Sequence, residues 1–155
     1  MRSWLIGGLV FLLDRFTKAF LVARVHPGQS VPLLPPVLRL TYVQNTGAAF
    51  GLFKGQQFLF IVISIAVISW ISRELLLRPP AAARAGSPTQ APITWAYGLI
   101  LGGAAGNLID RLRLGYVIDF LDLRVWPVFN VGDSAITIGV ALLIWHALQG
   151  RGNAS

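Results

Sequence analysis

Long apolar runs alternate with shorter polar segments along this chain, and the apolar runs recur four times. Each run is close to the ~20 residues that a helix needs to cross the hydrocarbon core of a bilayer. Polar residues at the ends of a run can reach toward the membrane surface, which extends its usable length. The pattern predicts four transmembrane helices over about residues 4–22, 57–76, 93–110 and 133–149.

The polar segments between these runs fall on two sides of the predicted membrane. With four spans, both termini and the 77–92 connector share one side, whereas residues 23–56 and 111–132 share the other. Arginine and lysine residues occur on both sides, so the positive-inside rule does not orient the chain. The stretch at 73–92 is rich in Pro, Ala and Arg, which is typical of a flexible loop.

One segment outside the apolar runs has the alternation of a β-strand. In VLRLTYV, residues 37–43, the apolar residues Leu38, Leu40 and Tyr42 alternate with polar ones. A period of two is typical of a strand with one buried face. The residues therefore predict an all-α integral membrane protein that carries a short strand outside the membrane.

Composition supports this fold class and excludes several functions. Hydrophobic residues make up 55% of the 155 residues and only 12% are charged, whereas a soluble domain has about one-quarter charged residues. The absence of cysteine excludes disulfides and thiol catalysis. With only His26 and His146, and without an HExxH motif, the sequence predicts no metal and no other cofactor.

The formal net charge of +7 would favour a nucleic-acid partner in a soluble protein. Here the basic residues are scattered singly and at the flanks of apolar runs, with no basic stripe. Anionic headgroups of membrane lipids are the partners that this pattern predicts, and nucleic acid is not.

The N-terminus has a second interpretation, as a cleaved signal peptide. It begins Met-Arg and continues with the short apolar block WLIGGLVFLL. However, Asp14, Arg15 and Lys18 follow this block where a cleavage site of small residues is expected. A retained first span is therefore the favoured interpretation.

Some polar and small residues lie inside the predicted spans. A charge at the centre of a span costs ~2.5–3.5 kcal/mol, so it needs a partner or a use. Asp14 and Lys18 are four residues apart, which predicts an ion pair on one helix face. Gly102 and Gly106 have GxxxG spacing, which favours close packing of helices over a phosphate-binding loop.

Carboxylates are concentrated between the third and fourth runs. Asp119 is flanked by apolar residues in YVIDF, whereas Asp122 is expected to be solvated, and Asp110 is interpreted as forming a surface pair with Arg111. Asp133 precedes the fourth run, where it suits either a helix cap or a reactive site. Two aspartates at one membrane face that share a proton can hydrolyse a peptide bond, although the spacing alone leaves their meeting open.

Five blocks of the chain resemble the motifs of bacterial lipoprotein signal peptidases, the type II signal peptidases. Any one of them is weak, but all five occur in the family's order along nearly the whole chain. The blocks are DRFTK (14–18), TYVQNTGAAFG (41–51), GGAAGNLIDR (102–111), YVIDF (116–120) and FNVGDS (129–134).

The resemblance implies an intramembrane aspartic endopeptidase of the bacterial inner membrane, which cleaves diacylglyceryl-modified prolipoproteins just before the lipidated cysteine. Asp119 and Asp133 match the catalytic pair. The family fold adds a small antiparallel β-sheet cradle on the outer side, cytoplasmic termini, an active site at the outer face and binding of globomycin-type peptide inhibitors. Positions that shape the site or hold substrate are matched by Asn45, Gly103, Asn107, Arg111 and Asn130, and polar positions of the first span by Asp14 and Lys18.

Two residues depart from the family pattern. Arg15 stands where the family often has Gln, and Gly132 stands where Ala is usual before the second aspartate. Gly132 would loosen the segment that delivers Asp133, because glycine has the greatest backbone freedom.

Three other functions compete with this interpretation. A proton-coupled transporter would use Asp14, Lys18 and Asp119 as a proton relay. Four spans without an internal repeat make a poor transporter, because transporter folds are commonly built from repeats. A non-catalytic membrane scaffold would use Asp133 only as a helix cap. A presenilin-type protease is excluded, because its GxGD motif needs glycine at the position of Asn130.

Overall fold

A computed structural model describes residues 1–47, 52–77 and 91–152. It is mostly helical, with one small antiparallel sheet. The elements, in chain order, are α1 (Arg2–Val22), β1 (Ser30–Leu34), β2 (Leu38–Asn45), α2 (Gln57–Leu77), α3 (Ala91–Leu114), β3 (Val117–Asp122) and α4 (Val131–Gly152).

The four apolar runs of the sequence correspond to the four helices. The largest difference is at the end of the third, because α3 continues four residues beyond residue 110. Most of the predicted 73–92 loop lies outside the described residues, and its first residues, 73–77, belong to α2.

Two described helices, Gln57–Leu77 and Val131–Gln149, are long and apolar enough to cross a membrane. Only 17% of each apolar stretch is buried within the chain, so their apolar surfaces face outward. Helix α1 carries Asp14, Arg15 and Lys18 in its C-terminal half, and α3 is rich in glycine; both features lower their apolar character.

Helix α3 is central, because it contacts each of the other three helices. Its close contacts depend on glycine. A Cβ atom added to Gly102 would meet the carbonyl oxygen of Gly7 and would lie 2.7 Å from Cβ of Val10 in α1. A Cβ at Gly106 would meet the Asp14 carboxylate. The close packing predicted from the Gly102 and Gly106 spacing is therefore confirmed.

The sheet has the order β1-β2-β3 and covers one end of α1. Leu21 and Val25, from the end of α1 and just beyond it, are buried with Tyr42 of β2 and with Ile118 and Phe120 of β3. The predicted strand at 37–43 is confirmed as β2, which extends to Asn45.

The sheet also fixes the start of α4. The backbone N–H of Phe120 donates to the carbonyl of Phe129 at 2.9 Å, and the N–H of Phe129 donates to Leu121 at 3.1 Å. These bonds hold the segment before α4 against β3. They bring the first turn of α4 next to the middle of β3.

Replacing Gly102 by alanine is expected to destabilise the protein by about 1–3 kcal/mol, because the new methyl group overpacks the contact between α1 and α3. Gly8→Ala is the matched control, since nothing lies within 4 Å of a Cβ added there. It should be neutral or slightly stabilising. Denaturant unfolding in detergent micelles measures both, and equal stabilities of the two variants would contradict this packing.

Candidate active site

Asp119 and Asp133 open onto the same cavity, which has a volume of about 580 Å³. Asp119 is in β3 and is 1% exposed, and Asp133 is in the first turn of α4. Asn130 joins them: its Nδ2 donates to Asp119 Oδ1 at 2.6 Å, and its backbone N–H donates to Asp133 Oδ2 at 3.3 Å. The two carboxylates that the sequence singled out therefore lie together.

Asp133 forms a reciprocal cap at the start of α4. Asn130 precedes the first helical residue, and its Oδ1 accepts the N–H of Asp133 at 2.8 Å, while Asp133 Oδ2 accepts the N–H of Asn130. This is a capping box with an aspartate in the place of the usual Glu or Gln. Asn130, rather than the predicted Asp133, is therefore the N-cap residue. Asp133 takes part in the cap through Oδ2, which leaves Oδ1 of the same carboxylate for the site.

The Asn45 amide has one possible orientation. Its Oδ1 accepts the backbone N–H of Gly47 at 2.9 Å, so its Nδ2 is the group directed at Asp119, to which it donates at 2.8 Å. An ionised carboxylate has no proton to donate, so its oxygens act only as acceptors. Each Asp119 oxygen accepts one amide hydrogen bond, one from Asn45 and one from Asn130.

Asn107 is oriented in the same way from the other side. Its Oδ1 accepts the ammonium of Lys18 at 2.9 Å and Nδ2 of Asn130 at 3.1 Å. Its own Nδ2 must then point away from these donors, and it donates to Asp133 Oδ1 at 2.7 Å. Lys18 thus acts on Asp133 through one intervening amide.

Lys18 is completely buried and is surrounded by acceptors. Its ammonium lies 2.8 Å from Asp14 Oδ2 and 2.8 Å from Asp110 Oδ2, which confirms the predicted pair with Asp14. The other Asp14 oxygen accepts the N–H of Gly132 at 3.0 Å, and Asp110 Oδ2 accepts the N–H of Ile118 at 3.2 Å. The network ties α1 to α3, to β3 and to the start of α4.

Asp110 has partners that the sequence did not indicate. Asp110 is 1% exposed and pairs with Lys18 and with the guanidinium of Arg15. The prediction of a surface pair with Arg111 is therefore wrong, because Asp110 is buried and has other partners. Arg15 and Asp110 are 95 positions apart in the sequence. Only the contact between α1 and α3 brings them together, and no local pattern signals it.

Arg111 lies at the edge of the cavity. Its guanidinium is 5.0 Å from the centre of the Phe60 ring in α2, and its charge acts on both Asp119 and Asp133. A cation over an aromatic face is attracted to it, which holds the long side chain beside the cavity. Arg111 is therefore placed to meet polar groups of a bound ligand.

Gly103 and Gly132 form a close contact between α3 and α4. A Cβ at Gly103 would meet the carbonyl oxygen of Gly132, so Gly103 shapes the site by permitting this approach. Gly132 belongs to α4, and its backbone N–H donates to the Asp14 carboxylate of α1. The loosening expected at Gly132 is therefore not seen.

The environment of Asp119 favours a protonated carboxyl. Burial and the negative charge of Asp133 raise the pKa of Asp119 to about 7, although the hydrogen bonds from Asn45 and Asn130 oppose the shift. Asp122, three residues along the same strand, is only half-buried, and the hydrogen bond from Thr41 holds its pKa below the ordinary value. This agrees with the prediction that Asp122 is the more solvated of the two.

The remaining cavity wall is mostly apolar, and residue patterns did not single it out. Within the described ranges, no three His, Cys, Asp or Glu side chains are grouped so as to hold a metal ion. The cavity therefore joins a polar floor to an apolar wall, which suits a ligand that is part peptide and part lipid. The wall includes Leu123, Trp126, Pro127, Val128, Phe129, Ile136 and Ile138.

The chain is similar to known proteins over most of its length. The family model for signal peptidase (SPase) II matches residues 6–149. A lipoprotein signal peptidase of Halothermothrix orenii is 47% identical over 91% of each chain. One of Pelotomaculum thermopropionicum is 39% identical, over 100% of this chain and 97% of its own.

Two solved structures, both described as bacterial membrane enzymes, have a similar fold. One has a TM-score of 0.86 at 31% identity and covers 99% of this chain and 91% of its own. The other has a TM-score of 0.79 at 32% identity, with 94% and 92% coverage. With the outward apolar helix surfaces, these likenesses indicate a membrane protein. The chain belongs to the signal peptidase II family.

Proposed function

We propose that this protein is an intramembrane aspartic endopeptidase, which removes signal peptides from diacylglyceryl-modified prolipoproteins by cleaving just before the lipidated cysteine. The observation that carries the proposal is the pair of carboxylates, Asp119 and Asp133, on one cavity and bridged by Asn130. Membership of the signal peptidase II family supports the peptidase class and the prolipoprotein substrate.

The two carboxylates have different surroundings, and this assigns their roles. Asp133 lies in the first turn of α4, where the helix dipole favours a negative charge. Asp119 lies on a buried strand, and its pKa of about 7 keeps the shared proton on it near neutral pH. Asp133 is then the general base and Asp119 the general acid.

The reaction needs one water and no cofactor. Asp133 takes a proton from the water, whose oxygen attacks the scissile carbonyl carbon, while Asp119 gives its proton to the carbonyl oxygen. In the second step Asp133 returns its proton to the leaving amine. Asp119 regains a proton from a hydroxyl of the tetrahedral intermediate as the carbonyl reforms. The dyad ends with the one proton it began with.

The cavity lining fits the two parts of the substrate. The acyl chains would lie in the bilayer against the outward apolar surface of the helices. The peptide would lie along the apolar wall formed by residues such as Trp126 and Phe129, with Arg111 beside it to bind peptide carbonyl groups. Globomycin-type peptides would compete for this cavity.

We place the protein in the bacterial inner membrane with four spans, both termini in the cytoplasm and the site at the outer face. The support for this placement is the family resemblance and the position of the sheet beside the site, at one end of the helices. Membrane lipids are the expected surroundings of all four helices.

Asp119→Asn and Asp133→Asn are each expected to lower cleavage by at least ~10²–10⁴-fold, because each removes one half of the acid–base pair. Asp122→Asn is the matched control on the same strand and should retain near-normal cleavage. The assay uses purified protein in detergent or lipid, with a diacylglyceryl-modified prolipoprotein that carries an intact lipobox. Near-normal turnover by either dyad variant would refute the assignment.

Asp133→Ser separates catalysis from capping in the same assay. Serine at this position keeps the backbone N–H that the Asn130 side chain caps, so the variant should stay folded while cleavage is lost. Retained function would favour the scaffold interpretation. Proton-driven uptake into liposomes without cleavage would favour the transporter.

Cleavage is expected to decline as the pH rises through about 7. The Asp119 carboxyl, with a pKa of about 7, holds its proton below that pH and loses it above. At higher pH no general acid remains, so the rate falls. A profile of kcat/KM between pH 5 and pH 9 measures this alkaline limb. A rate that keeps rising from pH 7 to pH 9 would contradict the shared proton.

A further inference from the structure

The charged side chains around the site balance when the dyad holds one proton. In the part of the chain that the structure describes, three cations and four carboxylates converge at the meeting of α1, α3, β3 and α4. Buried net charge is costly in a low-dielectric interior, so a neutral group is strongly favoured. One proton on a carboxylate brings the group to neutrality. The members, here called the charge cluster, are Arg15, Lys18, Arg111, Asp14, Asp110, Asp119 and Asp133.

Arg15 supplies one of the three cations without entering the cavity. Its guanidinium pairs with Asp110 Oδ1, and Lys18 holds Asp110 Oδ2 at 2.8 Å. The Arg15 side chain is 26% exposed, whereas the Asp110 side chain is fully buried. Without Arg15, Lys18 alone would have to compensate both Asp110 and Asp14.

We propose that Arg15 sets the pH range in which this protein cleaves its substrate, by compensating Asp110 so that the charge cluster is neutral with one proton on the dyad. The inference rests on the proposed function. Arg15 acts through Asp110 and Lys18, so it is a positioning residue.

Among the described residues, charged side chains reach the dyad from two other helices, α1 and α3. Helix α1 presents Lys18 with Asp14, and α3 presents Arg111 with Asp110. Strand β2 faces Asp119 with the neutral amide of Asn45. Helix α2 faces Arg111 with the ring of Phe60.

Arg15→Gln removes the positive charge and keeps an amide donor for Asp110. The charge cluster then has two cations and four carboxylates, and every proton on the dyad is held more tightly. The alkaline limb of the pH–rate profile should move to higher pH by about half a unit, a value that allows for solvent screening of the partly exposed Arg15. Arg15→Lys keeps the charge and should restore the wild-type profile.

Arg24→Gln is the control for a general change in surface charge. Arg24 follows the end of the same helix, and its guanidinium lies 4.8 Å from the centre of the Phe20 ring. It should leave the alkaline limb in place. An equal shift in Arg24→Gln and Arg15→Gln would overturn the proposal, and so would a uniform loss of rate in Arg15→Gln with an unmoved alkaline limb.

A titration that does not depend on activity separates this proposal from the proposed function. The carboxyl of Asp119 can be followed by ¹³C NMR in protein labelled at aspartate, with Asp119→Asn used to assign the signal. Its midpoint should rise in Arg15→Gln and be unchanged in Arg15→Lys. A shifted midpoint in a protein that cleaves no prolipoprotein would refute the proposed function alone. An unshifted midpoint would refute the role of Arg15.

Discussion

The arrangement of the site depends on one buried ammonium group. Lys18 is fully enclosed, and its three donors face Asp14, Asp110 and the amide oxygen of Asn107. Removing one member of a buried ion pair typically costs about 3–5 kcal/mol, because the remaining charge is left uncompensated. Lys18 pairs with two carboxylates at once. It therefore fixes the relative positions of α1 and α3.

The position of Lys18 determines which way the site amides point. Because Asn107 accepts from Lys18, its amino group is free only toward Asp133. Asn130 then donates to Asp119 and to Asn107, and Asn45 completes the set of donors. Each carboxylate of the pair thus receives amide donors whose orientation is set outside the pair. In the proposed mechanism the carboxylates would not need to reorganise to bind a water between them, which is the condition for efficient acid–base catalysis.

Local patterns predicted the parts of this structure that depend on nearby residues. The i,i+4 spacing gave the Asp14–Lys18 pair, the apolar runs gave the helices, and the period of two gave the strand β2. The resemblance added the residues of the site, because it relates positions that are distant in the sequence. Asp119 and Asp133 are brought together by the bonds between Phe129 and β3, which no spacing reveals.

What the sequence could not predict depends on long-range packing. Asp110 is placed next to Arg111 in the sequence, yet its side chain points into the bundle toward Arg15 and Lys18. The direction is decided by the glycine contacts of α3, which bring α1 close enough for its cations to reach Asp110. The apolar wall of the cavity was missed for a related reason. Phe129 looks like a loop residue until its hydrogen bonds to β3 place it beside the site, and Trp126 lines the same cavity.

The same carboxylate, Asp133, stabilises the fold and faces the cavity, and this is possible because its two oxygens differ. Oδ2 closes the capping box with Asn130, and Oδ1 accepts from Asn107. Both carboxyl groups are at least partly buried, but only Asp133 has a helix dipole and a cap that favour its ionised form. Asp119 has no helix terminus beside it, and burial there favours the protonated form. A helix terminus facing a buried strand therefore makes two chemically identical groups unequal, as the proposed mechanism with one base and one acid requires.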